Sequence, residues 1–168
     1  MKPFFVSFIS AAKIQTFLII WRVVLIFLRT FAAMESIDIK ELLNRTDRFA
    51  ANAGCRLTEV DEQHAVAEMT VTAEHLNGGH VCQGGALFTL ADLAIAALMN
   101  YGGQLTFGIN NSITFVSSAK EGDVLRAEAY HIACHHKIPS VEVRVTNQNG
   151  QLICHVTGMG YRKTQSIA

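Results

Sequence analysis

One carboxylate, Asp92, stands inside the apolar run Ala86-Leu87-Phe88-Thr89-Leu90-Ala91-Asp92-Leu93-Ala94-Ile95-Ala96-Ala97-Leu98-Met99. The run follows a glycine-rich stretch, Asn77-Gly78-Gly79-His80-Val81-Cys82-Gln83-Gly84-Gly85. An Asp among aliphatic neighbours is costly to hold as a charge unless it is paired. It is therefore either a hydrogen-bonded structural group or a carboxylate kept reactive by its surroundings. Gly84 and Gly85 have no Cβ, so a ligand can come close to the unpaired N–H groups of a helix's first turn. Those groups and the helix dipole favour a developing negative charge, which is what an oxyanion site requires. Together the two features suit chemistry at a polarised carbonyl.

Their spacing restricts how they can cooperate. Eight residues of helix separate Gly84 from Asp92, about 12 Å along the axis at 1.5 Å per residue. One carbonyl cannot meet both from the same chain. If both act, two copies of the helix lie side by side, and a two-fold homodimer with shared sites follows.

The helix itself is predicted from apolar positions 87, 90, 91, 94, 95 and 98 at helical spacing, with most intervening positions apolar too. Such a helix must be buried on most sides. Asn100, Gly102 and Gly103 supply its stop. At about 16 residues it is too short to span a bilayer.

Around this centre the chain reads as one domain. Ile37 to Ala51 is predicted as a first helix capped by Ser36, with Ile39, Leu42, Leu43 and Phe49 near helical spacing. Cys55 to Glu59 and His64 to Thr72 alternate about Asp61-Glu62-Gln63, as a hairpin does. After the central helix come strand-like runs over Leu105 to Val116, Val124 to Cys134, Ser140 to Thr146 and Leu152 to Tyr161. Turns at Glu121-Gly122-Asp123, Lys137-Ile138-Pro139 and Asn147-Gln148-Asn149-Gly150 separate them. The expected class is α+β, a sheet of about six strands wrapped on one long helix.

Residues 1–33 differ in kind. They hold Lys2, Lys13, Arg22 and Arg29, no acid, and an apolar run from Phe17 to Leu28 broken by Arg22. The favoured reading is an upstream extension whose true start is Met34, ahead of a domain over 34–168. A weak membrane anchor and a basic segment lying on a membrane are the alternatives, so membrane contact is expected only if residues 1–33 are retained. Without them, residues 34–168 carry ten basic and fourteen acidic side chains. A mildly acidic domain with no basic stripe is a poor nucleic-acid binder.

Cys55, Cys82, Cys134 and Cys154 form no C-x-x-C pair and sit in apolar contexts, which reads as reduced thiols and a cytoplasmic setting. Cys82, in the glycine loop beside His80, is the position where a thiol could be activated. His131, His135 and His136 raise a metal site, with 131 and 135 on one face if the segment is a strand, but no further acid or His completes the set. No metal and no cofactor is expected.

The stretches Asn77-Gly78, Cys82-Gln83-Gly84-Gly85-Ala86-Leu87-Phe88-Thr89-Leu90-Ala91-Asp92, Ile113-Thr114-Phe115, Glu121-Gly122-Asp123 and Gly158-Met159-Gly160-Tyr161-Arg162-Lys163 resemble the hotdog-fold acyl-CoA thioesterases of the phenylacetate-pathway (PaaI) type. The resemblance covers roughly residues 38–163. It implies a curved antiparallel sheet around the central helix and a homodimer, commonly paired again into a homotetramer, with sites shared between protomers. It implies that Asp92 activates water or attacks the thioester, that the Gly84 N–H polarises the carbonyl, and that Asn77 lies in the site. Gly85 and the polar face Gly108, Asn110 and Ser112 would add substrate contacts. Where the family usually has His-Gly-Gly, this chain has Gln83-Gly84-Gly85. Gln83 can donate a hydrogen bond to a carbonyl but cannot carry a proton or a charge. The expected function is hydrolysis of an acyl-CoA, aromatic or of short or medium chain, to carboxylic acid and coenzyme A. A non-catalytic acyl-CoA-binding module and a hydroxyacyl-thioester dehydratase are the alternatives, the first favoured by Gln83 and the second disfavoured by the missing His.

Overall fold

The structure is a computed structural model, and it describes residues 20–22 and 37–167. Residues 20–22 form a helical turn that exposes Ile20 and Trp21. The reading of residues 1–33 otherwise lies outside the described residues. No helix among the described residues is long and apolar enough to cross a membrane.

Residues 37–167 form an antiparallel sheet of six strands with helices α1 (Ile39–Thr46), α2 (Arg48–Asn52) and α3 (Gly84–Met99). The strands are β1 (Arg56–Val60), β2 (His64–Thr70), β3 (Gln104–Phe115), β4 (Val124–Ala133), β5 (Ser140–Thr146) and β6 (Leu152–Ser166). Their order across the sheet is β1-β2-β4-β5-β6-β3, which makes β1 and β3 the edges.

The predicted first helix is two helices. Asp38, not Ser36, caps α1 by accepting from the Glu41 N–H at 3.1 Å. Ser36 lies outside the described residues. Asp47 breaks the run because its carboxylate is drawn to the backbone: its Oδ1 accepts from the Ala50 N–H at 3.0 Å and so starts α2. A short polar side chain inside a helical pattern competes for backbone groups in this way. The β1–β2 turn is fastened by Asp61, whose Oδ1 accepts from the Gln63 and His64 N–H groups at 2.7 and 2.9 Å.

Helix α3 lies against the sheet and supplies the core. Leu87, Leu90, Ala91, Leu93, Ala94, Ile95, Ala97, Leu98 and Met99 are buried, packed against side chains such as Leu57, Met69, Leu125, Val143 and Val156. Burying each large aliphatic side chain of this set contributes roughly 1.5–3 kcal/mol. Asn100 ends the helix and joins it to β3. Its Nδ2 donates to the Ala96 and Thr106 carbonyls at 2.8 and 3.1 Å, and its Oδ1 accepts from the Thr106 N–H at 2.7 Å.

The helix is not enclosed all round. Gly85, Phe88, Thr89, Asp92 and Ala96 share one stripe that is exposed or half-buried in the single chain. The carboxylate expected inside the helix's burial stands on that stripe.

Candidate active site

The chain reaches α3 through a loop clamped at its base. The Gln83 N–H donates to the His75 carbonyl at 2.8 Å, and the Cys82 N–H to the Ala119 carbonyl at 2.8 Å. Within the loop, Asn77 Oδ1 accepts from the Gly79 N–H at 2.8 Å. His80 adopts a left-handed φ of 58° to close the turn. The backbone thus holds the oxygen of the Asn77 amide, and its Nδ2 is the end left for a ligand.

Gln83 is the N-cap of α3, in extended conformation, and its Oε1 accepts from the Gly85 N–H. That bond fixes the amide's orientation, since a backbone N–H must meet the oxygen, and leaves Nε2 as a neutral donor. The Gly84 N–H has no acceptor among the described residues. The Phe115 ring lies across Gly84: a Cβ placed there would stand 2.7 Å from Phe115 Cζ. Glycine is needed here for close approach. A cleft of about 230 Å³ opens beside it, with Asn77, Val81, Cys82, Gly84, Leu87 and Phe115 in its wall.

Two turns along α3, Asp92 Oδ1 accepts from Asn111 Nδ2 at 2.8 Å. Partial burial of the carboxyl pushes its pKa above the ordinary value, the Asn111 hydrogen bond pulls it back, and the negative Asp47 pushes it up again. Burial disfavours the charge and a donor favours it. The result is a carboxylate more basic than one in water.

The structure brings Asn111 to Asp92, not Asn110 or Ser112. Strand β3 carries a bulge between Gly108 and Asn110, and one extra residue reverses which side chains face the helix. Beyond the bulge Asn111, Ile113 and Phe115 share the helix-facing side, and Asn110 and Ser112 stand exposed on the other. Gly108 stays near, its Cβ position 3.8 Å from Asn111 Nδ2. Asn111 and Phe115 are the residues that sequence reasoning missed. Glycine at 108 inside a strand was the available signal for the bulge.

The thiol at Cys82 is not activated. Burial, with the negative Asp123, pushes its pKa up, and burial pushes Cys55 and Cys154 up to about 12. Strand β4 ends at Ala133, so His135 lies in a turn, accepting from the Ile138 N–H at 3.0 Å, and shares no strand face with His131. His131 lines a separate cavity of about 340 Å³ beside Arg162 and Tyr101. Among the described residues, no three His, Cys, Asp or Glu side chains gather as metal ligands.

Residues 78–154 match the thioesterase superfamily. The acyl-coenzyme A thioesterase PaaI of Escherichia coli K12 is 33% identical over 116 residues, 69% of this chain and 83% of that one. An Archaeoglobus fulgidus protein assigned by name to the esterases is 37% identical over 129 residues, 77% of this chain and 84% of that one. The chain belongs to the thioesterase superfamily. Within it the likeness is to PaaI: the solved E. coli PaaI structure superposes with a TM-score of 0.74 at 30% identity, covering 76% of this chain and 93% of that one. The six-stranded curved sheet around α3 is the hotdog fold. A Streptococcus mutans protein solved with acetyl CoA shares that fold, with a TM-score of 0.63 at 24% identity, over 66% of this chain and 89% of that one.

Proposed function

We propose that the protein hydrolyses an acyl-CoA to a carboxylic acid and free coenzyme A. In this reading the Gly84 N–H and Gln83 Nε2 donate to the thioester oxygen, and Asp92 of a second copy takes a proton from water or attacks the carbonyl itself. Asn77 Nδ2 steadies the acyl group or the water, and Gly85 keeps the first turn accessible. The observation that carries the reading is the unpaired Gly84 N–H facing a cleft, with an amide-held carboxylate on the open stripe of the same helix. Both groups suit acyl transfer: one stabilises the oxyanion, the other supplies a base of raised pKa.

A homodimer is part of the proposal, because about 12 Å of helix separates the two groups within one chain. The open β3 edge supports it: Phe107, Ile109 and Phe115 are each more than half exposed there. Dimers would pair again to a tetramer through other faces. Gly108, Asn110 and Ser112 remain substrate contacts in the proposal, the latter two only from the face of β3 turned away from Asp92. The free cysteines among the described residues fit a reducing, cytoplasmic setting.

The test is hydrolysis of a panel of aromatic, short-chain and medium-chain acyl-CoA esters, read as released thiol, by the wild type and Asp92→Asn. The wild type should turn over part of the panel, and Asp92→Asn should lose at least about a hundredfold. A second reading, an acyl-CoA-binding module, is favoured by Gln83, whose oxygen already occupies the Gly85 N–H. Folded protein that binds the esters and hydrolyses none would establish it instead.

A further inference from the structure

Gly158 on β6 and Asn111 on β3 are register partners on adjacent strands. The Asn111 amide lies over Gly158: a Cβ at 158 would stand 2.7 Å from Asn111 Oδ1 and 3.0 Å from Ile95 Cδ1. Gly158 is not among the residues with positive φ, so its backbone does not demand glycine. The room does. Ile95, one turn beyond Asp92 on α3, borders the same space over Gly158, and Asn111 Nδ2 donates to Asp92 Oδ1 at 2.8 Å. Asn111 Oδ1 is buried and has no hydrogen-bond partner. A buried acceptor left unmet costs stability, and such exceptions concentrate where a group is held for another purpose.

We propose that Gly158 and Asn111 form a positioning relay for the Asp92 carboxylate, Gly158 acting only through the amide it seats. The relay rests on the reading of Asp92 as the reactive base. Asn111 is the positioning residue that touches the base, and Gly158 touches neither base nor substrate. With the amide in place, its N–H steers one carboxylate oxygen and favours the ionised form against burial and the negative Asp47, the other group that reaches Asp92 from the packed elements. Displacing the amide should leave a carboxylate that is harder to ionise and free to rotate.

The test uses the full chain and two readouts: the Asp92 carboxyl titration followed by carbon-13 NMR, and the pH profile of acyl-CoA hydrolysis. Asn111→Ala and Gly158→Ala should each move the Asp92 titration upward and slow hydrolysis at pH 7 by about tenfold, the scale of one charge-assisted hydrogen bond. In an Asn111→Ala background, Gly158→Ala should add nothing. Gly160→Ala is the control for crowding alone. Its Cβ would meet Met99 Sδ at 2.6 Å and Thr106 Cγ2 at 2.8 Å, at the far end of α3. It should lower the melting temperature and leave the Asp92 titration where it is. The relay is overturned if Gly158→Ala lowers only the melting temperature, or shifts Asp92 equally with and without Asn111. A coupled titration shift in a protein that hydrolyses no ester would keep the relay and sink the proposed function.

Discussion

The sheet has two edges, and they are treated differently. Edge β1 is short, five residues, and α1 closes it: Asn44 Nδ2 donates to the Leu57 carbonyl at 3.0 Å, and Asn44 Oδ1 accepts from the Leu57 N–H at 2.8 Å. One amide thus does what a neighbouring strand would do. Edge β3 runs for twelve residues, pairs only with β6, and exposes Phe107, Ile109 and Phe115. Long apolar edges invite another strand, and proteins blunt the edges they do not use. A chain that closes one edge with a dedicated side chain and leaves the other bare offers the bare one to a partner, and in the proposed dimer that is where the second copy adds. The open edge runs beside the open stripe of α3, and the proposed catalytic groups lie on that side.

The contrast breaks most visibly at β3. Ile109→Lys, a charge at the bulge of the open edge, should convert the proposed dimer to monomer in sedimentation. Hydrolysis should fall with it by at least about a hundredfold, because a base is then missing from each carbonyl site. Unchanged activity in a monomer would refute the shared site. At the closed edge, Asn44→Ala removes two backbone partners and should cost about 1–3 kcal/mol of stability by denaturant unfolding. The dimer and the turnover of the folded fraction should remain. If Asn44→Ala instead causes higher assembly, the amide's work is to guard the edge.

Smaller effects concern Asp92, the proposed base. Its pKa is raised in the fold, so the folded chain binds that proton more tightly than the unfolded one. Ionised Asp92 therefore costs stability above the folded pKa, and the cost disappears below the unfolded pKa. Asp92→Asn should raise the melting temperature at pH 7 relative to wild type, with the difference closing as pH falls through that window. Asp47→Ala should cost about 1 kcal/mol through the lost cap on Ala50. It should also move the acid limb of the hydrolysis profile to lower pH, since the negative Asp47 raises the Asp92 pKa.

Much of this was legible in the residues. The span of α3, the stop at Asn100, the glycine start and the strand count follow from periodicity and turn residues, because each rests on local sequence. Strand β6 runs on to Ser166, past the predicted Tyr161, since its polar tail is held by pairing with the start of β3 rather than by any alternation. The bulge at Ile109 is signalled only by Gly108 inside the strand, and the resemblance alone points to Asn110 and Ser112; counted from the buried Thr106, the extra residue turns those two outward and brings Asn111 to the helix. Asn111, the hydrogen-bond partner of Asp92, is missed with it. The Asp47 break was readable in principle, an Asp with a helical run on each side. The open stripe could not be foreseen from apolar residues such as Phe88 and Ala96, which look the same facing a core or facing a second copy.

The central claim is that one site draws on two chains, and complementation tests it most directly. Gly84→Pro, paired with Phe115→Ala to make room for the added Cβ, removes the N–H at the first helical position, where the backbone accepts proline after the extended Gln83. Asp92→Ala removes the proposed base. Each variant alone should be nearly inactive, and mixed dimers refolded from the two should regain one working site, about half the wild-type turnover per mixed dimer. No recovery in dimers shown by mass to be mixed would contradict the shared site.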